Sequence, residues 1–266
     1  MKLYLSADIE GIAGITDWEE ARLGTDKYPY FAKQMTKEVA AACEGANNSG
    51  ATEIYIKDAH GSGRNIDPLK LPENAKLIRG WSGHPYMMLQ DIDESFDAVG
   101  FIGYHSSCAS NENPLAHTIN SAKIDYIKLN GEYLSEFLLH AYIAASLGIP
   151  VVFLSGDKGI CEEVKRINKN ITTVAVSEGK GGSSTNIHPN KSVKLIRKGM
   201  EEALKKDFSK NILELPKKFT MEIRYKVHRD AYKYSFYPGV VQSSYKNIVF
   251  ETEDYFEILR AKSFLI

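Results

Sequence analysis

The chain has 266 residues, 43% of them hydrophobic and 25% charged, enough for one sizeable core or for a domain with a smaller appendage. Lys and Arg number 33 against 34 Asp and Glu, a formal net charge of -1, so no global field favours nucleic acid or an anionic membrane as a partner. The opening MKLYLSADIEG is too short in its apolar part and too acidic at its end for a signal peptide. No later run approaches the roughly 20 apolar residues of a membrane span, so the expected location is the cytoplasm.

In chain order, KLYLSAD reads as a strand, and residues 28–50, YPYFAKQMTKEVAAACEGANNSG, place apolar residues at helical spacing before an Asn-Ser-Gly stop. ATEIYIKD is the next strand, NAKLIRG contains a short one, HPYMMLQDI suggests a helix, and DAVGFIGY is a continuous apolar run of buried-strand type. HTINSAKIDYIKLNG alternates apolar and polar residues in two pieces, which suggests a hairpin or a pair of sheet-edge strands before the turn at Asn130-Gly131. EYLSEFLLHAYIAASLG is expected as one amphipathic helix stopped by Gly148 and Pro150, and PVVFLSGD as a buried strand ending on Asp157. A helix from Lys158 to Asn168, a strand at ITTVAVS, a Gly/Ser-rich loop EGKGGSSTNIHPN and the helix SVKLIRKGMEEALKK follow.

The rhythm is βαβ, so the expected fold is α/β, a mainly parallel sheet flanked by helices. After Leu215-Pro216 the texture changes to strand, turn, strand, helix with many aromatics. We therefore expect a catalytic domain over 1–215 and a small α+β appendage over 216–266 that serves packing or oligomerisation. Tyr225, Tyr232, Tyr234, Phe236 and Tyr237 could form a contact surface there, aromatics being enriched at interfaces, or could be ordinary core. The glycine-rich loop lacks both G-x-G-x-x-G and the Walker spacing, which argues against nucleotide binding.

Asp8, Glu10, His60 and His105 each lie a few residues past the end of an apolar run, where open α/β sheets carry their chemistry. Asp8 and Glu10 are two apart, so in extended chain both carboxylates point to one side and could hold one metal or bridge two. Each residue alone has a plain alternative as a solvated loop acid or a hydrogen-bonded histidine. Their conjunction at successive strand ends is what points to a zinc-type site of carboxylates and imidazoles. The three cysteines, Cys43, Cys108 and Cys161, are odd in number and lack C-x-x-C spacing, which argues against a disulfide framework and a cysteine zinc knuckle.

A fifth ligand is expected from the helix after Gly131. Glu132 and Glu136 are one turn apart there; Glu132 can serve as a first-turn acid, whereas Glu136 lies in an apolar face where an unpaired carboxylate is costly. His140, one turn on, could bond Glu136 or lie on the helix surface.

These elements, Asp8-Ile9-Glu10-Gly11-Ile12-Ala13-Gly14, Asp58-Ala59-His60, Gly103-Tyr104-His105, His117-Thr118, and Asn130-Gly131 followed by Glu136, match in order and spacing the motifs of the D-aminopeptidase family of dinuclear zinc peptidases. The chain resembles that family over most of its length, through Gly156-Asp157 and Tyr237-Pro238-Gly239. The resemblance implies that Asp8, Glu10, His60, His105 and Glu136 hold two zinc ions, with Asp8 bridging. It also implies that His117 is the catalytic side chain, its role as proton relay, oxyanion stabiliser or nucleophile left open. Ser135 stands where the family usually has glycine and His140 where it often has asparagine, which bears on pocket shape.

The implied activity is aminopeptidase hydrolysis of short peptides with a free N-terminus, with D-amino-acid-containing peptides as candidate substrates. The implied assembly is a large ring-shaped homo-oligomer, a decamer. Two other readings remain open at this point. One is another dinuclear metal amidohydrolase or a phosphoesterase, which would want basic residues such as Lys57 and Arg64 at the site; the other is a non-catalytic metal- or peptide-binding protein.

Overall fold

Period-2 burial along the first strand sets the architecture: Leu3, Leu5 and Ala7 point into one apolar cluster and Tyr4 into another, so the strand is covered on both faces. The computed structural model describes Met1–Ile266. Its strands are β1 (Lys2–Ala7), β2 (Glu53–Asp58), β3 (Ala75–Ile78), β4 (Ala98–Tyr104), β5 (Ile124–Leu129), β6 (Glu132–Tyr133), β7 (Val151–Asp157), β8 (Thr172–Lys180), β9 (Ser183–Asn186), β10 (Phe219–Tyr225), β11 (Val240–Gln242) and β12 (Asn247–Thr252). Its helices are α1 (Trp18–Ala21), α2 (Tyr28–Asn48), α3 (Glu136–Ser146), α4 (Lys158–Ile167), α5 (Pro189–Lys205), α6 (His228–Tyr234) and α7 (Tyr255–Leu265).

The main sheet has the order β3-β2-β1-β4-β7-β8-β9 and is parallel except for the β8–β9 pair. This is the expected α/β fold. The chain runs outward from β1 to β2 and β3, then crosses back to β4 on the other side of β1. That reversal makes a switch point between β1 and β4, beyond whose carboxyl ends open sheets bind ligands. The loops after the two strands approach so closely that a Cβ added at Gly11 would sit 1.8 Å from the Tyr104 carbonyl oxygen, which only glycine permits.

One face of the sheet packs against α2 and α5, which also pack on each other; the other carries α3 and a second, antiparallel sheet of order β11-β12-β10-β5-β6. The second sheet draws β5 and β6 from residues 124–133 as well as β10 to β12. It is therefore wider than the segment after Leu215, because β10 finds its partner in β5 through register pairs such as Ile223 with Ile127.

Four local expectations are corrected. HPYMMLQDI forms only a 3-10 turn, Met87–Leu89. Residues before Ile124 do not pair as a strand; the hairpin at Asn130-Gly131 joins β5 to β6 instead, with both turn residues at positive φ. The Gly/Ser-rich loop folds back as β9 on an extended β8, an edge hairpin turning at Gly181. The helix expected from Glu132 starts at Glu136, because Ser135 caps it by accepting the Leu138 N–H and the preceding residues pair with β5.

Candidate metal centre

Each strand-end residue is held by a local device that aims it at the switch point. After β2, the Asp58 carboxylate accepts the Asn65 and Ile66 backbone N–H groups and the Asn65 side-chain amide, closing the loop that carries His60. After β4, the buried Asp157 carboxylate accepts from the Ser106 backbone and hydroxyl and from Asn113, whose amide also donates to the Glu10 carbonyl. The loops bearing Glu10 and His105 are thereby tied together. The His117 loop is fixed to α3 by the Ile119 N–H donating to Glu136 Oε1 at 2.7 Å. Ile119 itself sits at φ +64, a left-handed conformation that a β-branched residue adopts only where its surroundings impose it.

The structure brings together Asp8, Glu10, His60, His105, His117 and Glu136, the six residues to which the family resemblance gave roles. They form two adjoining triads: Asp8, Glu10 and His60, and His105, His117 and Glu136. In the first, His60 Nδ1 lies 3.3 Å from Asp8 Oδ1 and 2.9 Å from Glu10 Oε2. In the second, His105 Nε2 lies 3.7 Å and His117 Nε2 3.5 Å from Glu136 Oε1. Asp8 joins them, since its other oxygen, Oδ2, lies 3.6 Å from His105 Nε2. Ligand atoms bonded to one tetrahedral cation at about 2.0–2.1 Å stand roughly 3.3 Å apart, so these separations suit a metal shared by each group.

Backbone carbonyls select the imidazole tautomers. His60 Nε2–H donates to Ala21 O at 2.8 Å, His105 Nδ1–H to Ser106 O at 2.9 Å and His117 Nδ1–H to Leu115 O at 2.9 Å. Each ring therefore turns its remaining lone pair toward the carboxylates, the orientation metal-ligating histidines take from their outer partners. Buried His105 Nε2 has no hydrogen-bond partner, as expected of an atom kept for a cation.

The electrostatics agree. Burial, together with the nearby charges of Glu10 and Glu136, pushes the Asp8 carboxyl well above its ordinary range. Burial acts the same way on Glu10 and Glu136, but the imidazoles outweigh it, holding Glu10 well below its usual range and drawing Glu136 down to about 2. Burial depresses His60 and His105, yet the carboxylates facing them raise both well above the usual imidazole value. The carboxylates thus favour positive charge at the imidazole nitrogens that face them, which is the place a cation would take.

A cleft of about 420 Å³ opens over the triads, lined also by Trp18, Trp81, Met87, Met88 and Ile119. The His117 ring stacks on His105 with centroids 4.4 Å apart and 8° between planes, and meets Trp18 edge-on at 5.2 Å. The sequence reading misses Trp18, Asn113 and the clamping role of Asp157; the capping box of Asp17 and Glu20 is a signal that could have found the short helix at Trp18, but not what that helix faces.

Other candidates fall outside the site. Glu132 is an exposed strand residue paired with Leu129, so it has neither the helical position nor the shared face expected of it. His140 is buried and donates from Nδ1 to the Glu136 carbonyl, not to its carboxylate; burial and the charge of Lys262 lower its pKa to about 4, so the ring is neutral. Lys57 donates to the Gly80 carbonyl beneath the Trp81 ring, and Arg64 is exposed, so neither supplies the basic lining a phosphoesterase would want.

The family model described as D-aminopeptidase matches residues 1–264. The chain belongs to the D-aminopeptidase family. The family, the enzyme class and the α/β fold expected from the sequence are therefore shown. A curated D-aminopeptidase of Bacillus subtilis (strain 168) is 28% identical over 263 residues, spanning 98% of this chain and 95% of that protein. Among solved structures, the Zn-dependent D-aminopeptidase DppA from Bacillus subtilis, described as a self-compartmentalizing protease, superposes with a TM-score of 0.91. It is 26% identical, with 100% of this chain and 96% of that one covered. No helix of the chain is long and apolar enough to cross a membrane.

Proposed function

We propose that this chain is a zinc-dependent aminopeptidase that removes the N-terminal residue from short peptides, with D-residues at that end among its substrates. Asp8, Glu10 and His60 would hold one zinc ion and Asp8, His105 and Glu136 a second, with Asp8 bridging. The observation that carries this reading is that the two Asp8 oxygens face different imidazoles, His60 at 3.3 Å and His105 at 3.6 Å. When bound, such a pair of ions lowers the pKa of water toward neutrality and polarises a peptide carbonyl.

The chain's own residues supply the rest. His117 presents Nε2 to the cleft with Nδ1–H anchored on Leu115 O, so Nε2 can take up a proton and pass it to the departing amine, or as N–H steady the tetrahedral oxyanion. Trp18 packs against His117 and Trp81 also lines the cleft, so two indole rings limit water around the scissile bond.

Metal analysis of purified protein beside a panel of matched D- and L-dipeptides and phosphate monoesters tests the reading. The expected result is close to two zinc ions per chain, hydrolysis of dipeptides, no phosphatase activity, and loss of hydrolysis on chelation that returns with zinc. Full activity in a metal-free sample overturns it, and metal binding without any hydrolysis would leave a binding protein.

We also propose a ring-shaped homo-oligomer. In support, Tyr232 and Phe236 are 62% and 72% exposed and lie edge-on at 5.2 Å, a surface pair suited to a subunit contact, whereas Tyr225 is buried core. Sedimentation of the intact protein should give a single species many chains in size; a monomer at micromolar concentration refutes the assembly.

A further inference from the structure

The C-terminal helix α7 buries a lysine that makes no ion pair. Lys262 is 1% exposed, and no carboxylate pairs with its ammonium. The nearest group its Nζ touches is the thioether of Met87, a weak acceptor for one of three N–H donors. His140, whose Nδ1–H donates to the Glu136 carbonyl, is an imidazole and carries no negative charge to set against the ammonium. Burial draws the Lys262 pKa down to about 8, so it is still cationic at neutral pH, with Glu136 the single charge that supports it. A buried ammonium whose one close partner is a weak thioether acceptor is strongly unfavourable.

Lys262 also borders a second cleft, of about 290 Å³, with Gly83, His84, Gln90 and Asn120. Trp81, Met87 and Ile119 line both this cleft and the one over the triads, so the two clefts adjoin along these side chains. Met87 is held at φ +42 in its 3-10 turn, a conformation its neighbours impose rather than one it prefers. An extended ligand with its reactive carbonyl at the triads would run past Met87 and bring its far end to Lys262.

We infer that Lys262 binds the C-terminal carboxylate of the peptide, so that the second cleft is the leaving-group subsite and limits substrates to very short peptides ending in a free acid. This rests on the aminopeptidase reading above. It makes Lys262 a specificity-determining residue, recognising an anion at the end of the substrate opposite to the one cleaved.

The test compares D-alanylglycine with D-alanylglycinamide, which differ only in that terminal charge. A buried hydrogen bond to a charged group is worth roughly 10- to 100-fold in affinity, so the wild-type enzyme should prefer the free acid by about that factor in kcat/KM, through KM. In Lys262→Met, which keeps the stem volume, the acid-to-amide ratio should fall toward one, and Lys262→Arg should restore part of it. Calorimetry with a non-hydrolysable reduced dipeptide, as acid and as amide, should show the same gap and the same collapse. Equal handling of acid and amide by the wild type, which needs no variant, overturns the inference, and so does a ratio that survives in Lys262→Met. If neither dipeptide is hydrolysed but the calorimetric gap depends on Lys262, the aminopeptidase reading fails while the carboxylate subsite stands.

Discussion

Asp8→Asn is expected to remove hydrolysis almost completely and to cut metal content below that of any other single ligand variant, because a bridging carboxylate serves both ions and a neutral amide bridges poorly. Glu10→Gln faces only the His60 side of the site, so the ion shared by Asp8, His105 and Glu136 should be retained. Elemental analysis of the two variants beside the wild type measures this directly. Loss of an outer partner of a ligand costs roughly 10- to 100-fold, and loss of the bridge should exceed that by a wide margin. Equal and mild losses in the two variants would show that Asp8 does not bridge.

A second readout needs no turnover. In the metal-free protein, burial and the adjacent carboxylates raise the Asp8 pKa, so the folded state binds more protons there than the unfolded chain. The linkage sign follows: metal-free stability falls as pH rises above the unfolded carboxylate pKa, toward the raised folded value. Asp8→Asn removes that ionisation. Between pH 5 and 8 the metal-free variant should therefore melt at or above the metal-free wild type, and zinc should raise the melting point of the wild type far more than that of the variant. A metal-free variant markedly less stable than the metal-free wild type would mean that the Asp8 charge is a net stabilising partner of His60.

The centre was legible in the sequence because parallel sheets put their functional residues in loops that directly follow apolar runs. Asp8, Glu10, His60 and His105 needed only strand ends to be found. Glu136 was found for an incomplete reason: its burial among apolar neighbours was anticipated, but the helix was begun four residues too early. The sequence runs from the turn at Asn130-Gly131 directly into a helical pattern, whereas the turn closes a β-hairpin whose second strand holds Glu132. No periodicity reports such pairings, because β5 finds β10 almost a hundred residues away and the residues between carry no signal of it. The same remoteness hid Trp18 and Lys262. An aromatic beside an N-cap and a lysine in a C-terminal helix are ordinary in sequence, and they come to line clefts only because the fold sets Trp18 against His117 and Lys262 against Met87.

His117→Ala separates a catalytic histidine from a sixth ligand, a distinction that geometry sharpens. His117 Nε2 lies 3.5 Å from Glu136 Oε1 and its ring stacks on His105, close enough for either role. If it moves a proton or holds developing charge, the variant should keep both ions and nearly unchanged substrate affinity while kcat falls by roughly 10² to 10⁴. Metal retention is the deciding measurement, because a ligand role predicts that the ion beside His105 and Glu136 is lost together with the rate. Added imidazole gives a finer division. A proton relay should be partly restored by a small base that fits the space left beside Trp18, whereas an oxyanion donor whose anchor on Leu115 O is gone should not, since its value lies in fixed orientation. A covalent adduct on His117 trapped during turnover would instead assign it the nucleophile. Unchanged kcat with both ions in place would leave His117 a stacking partner of His105 and move the proton transfer to another group in the cleft.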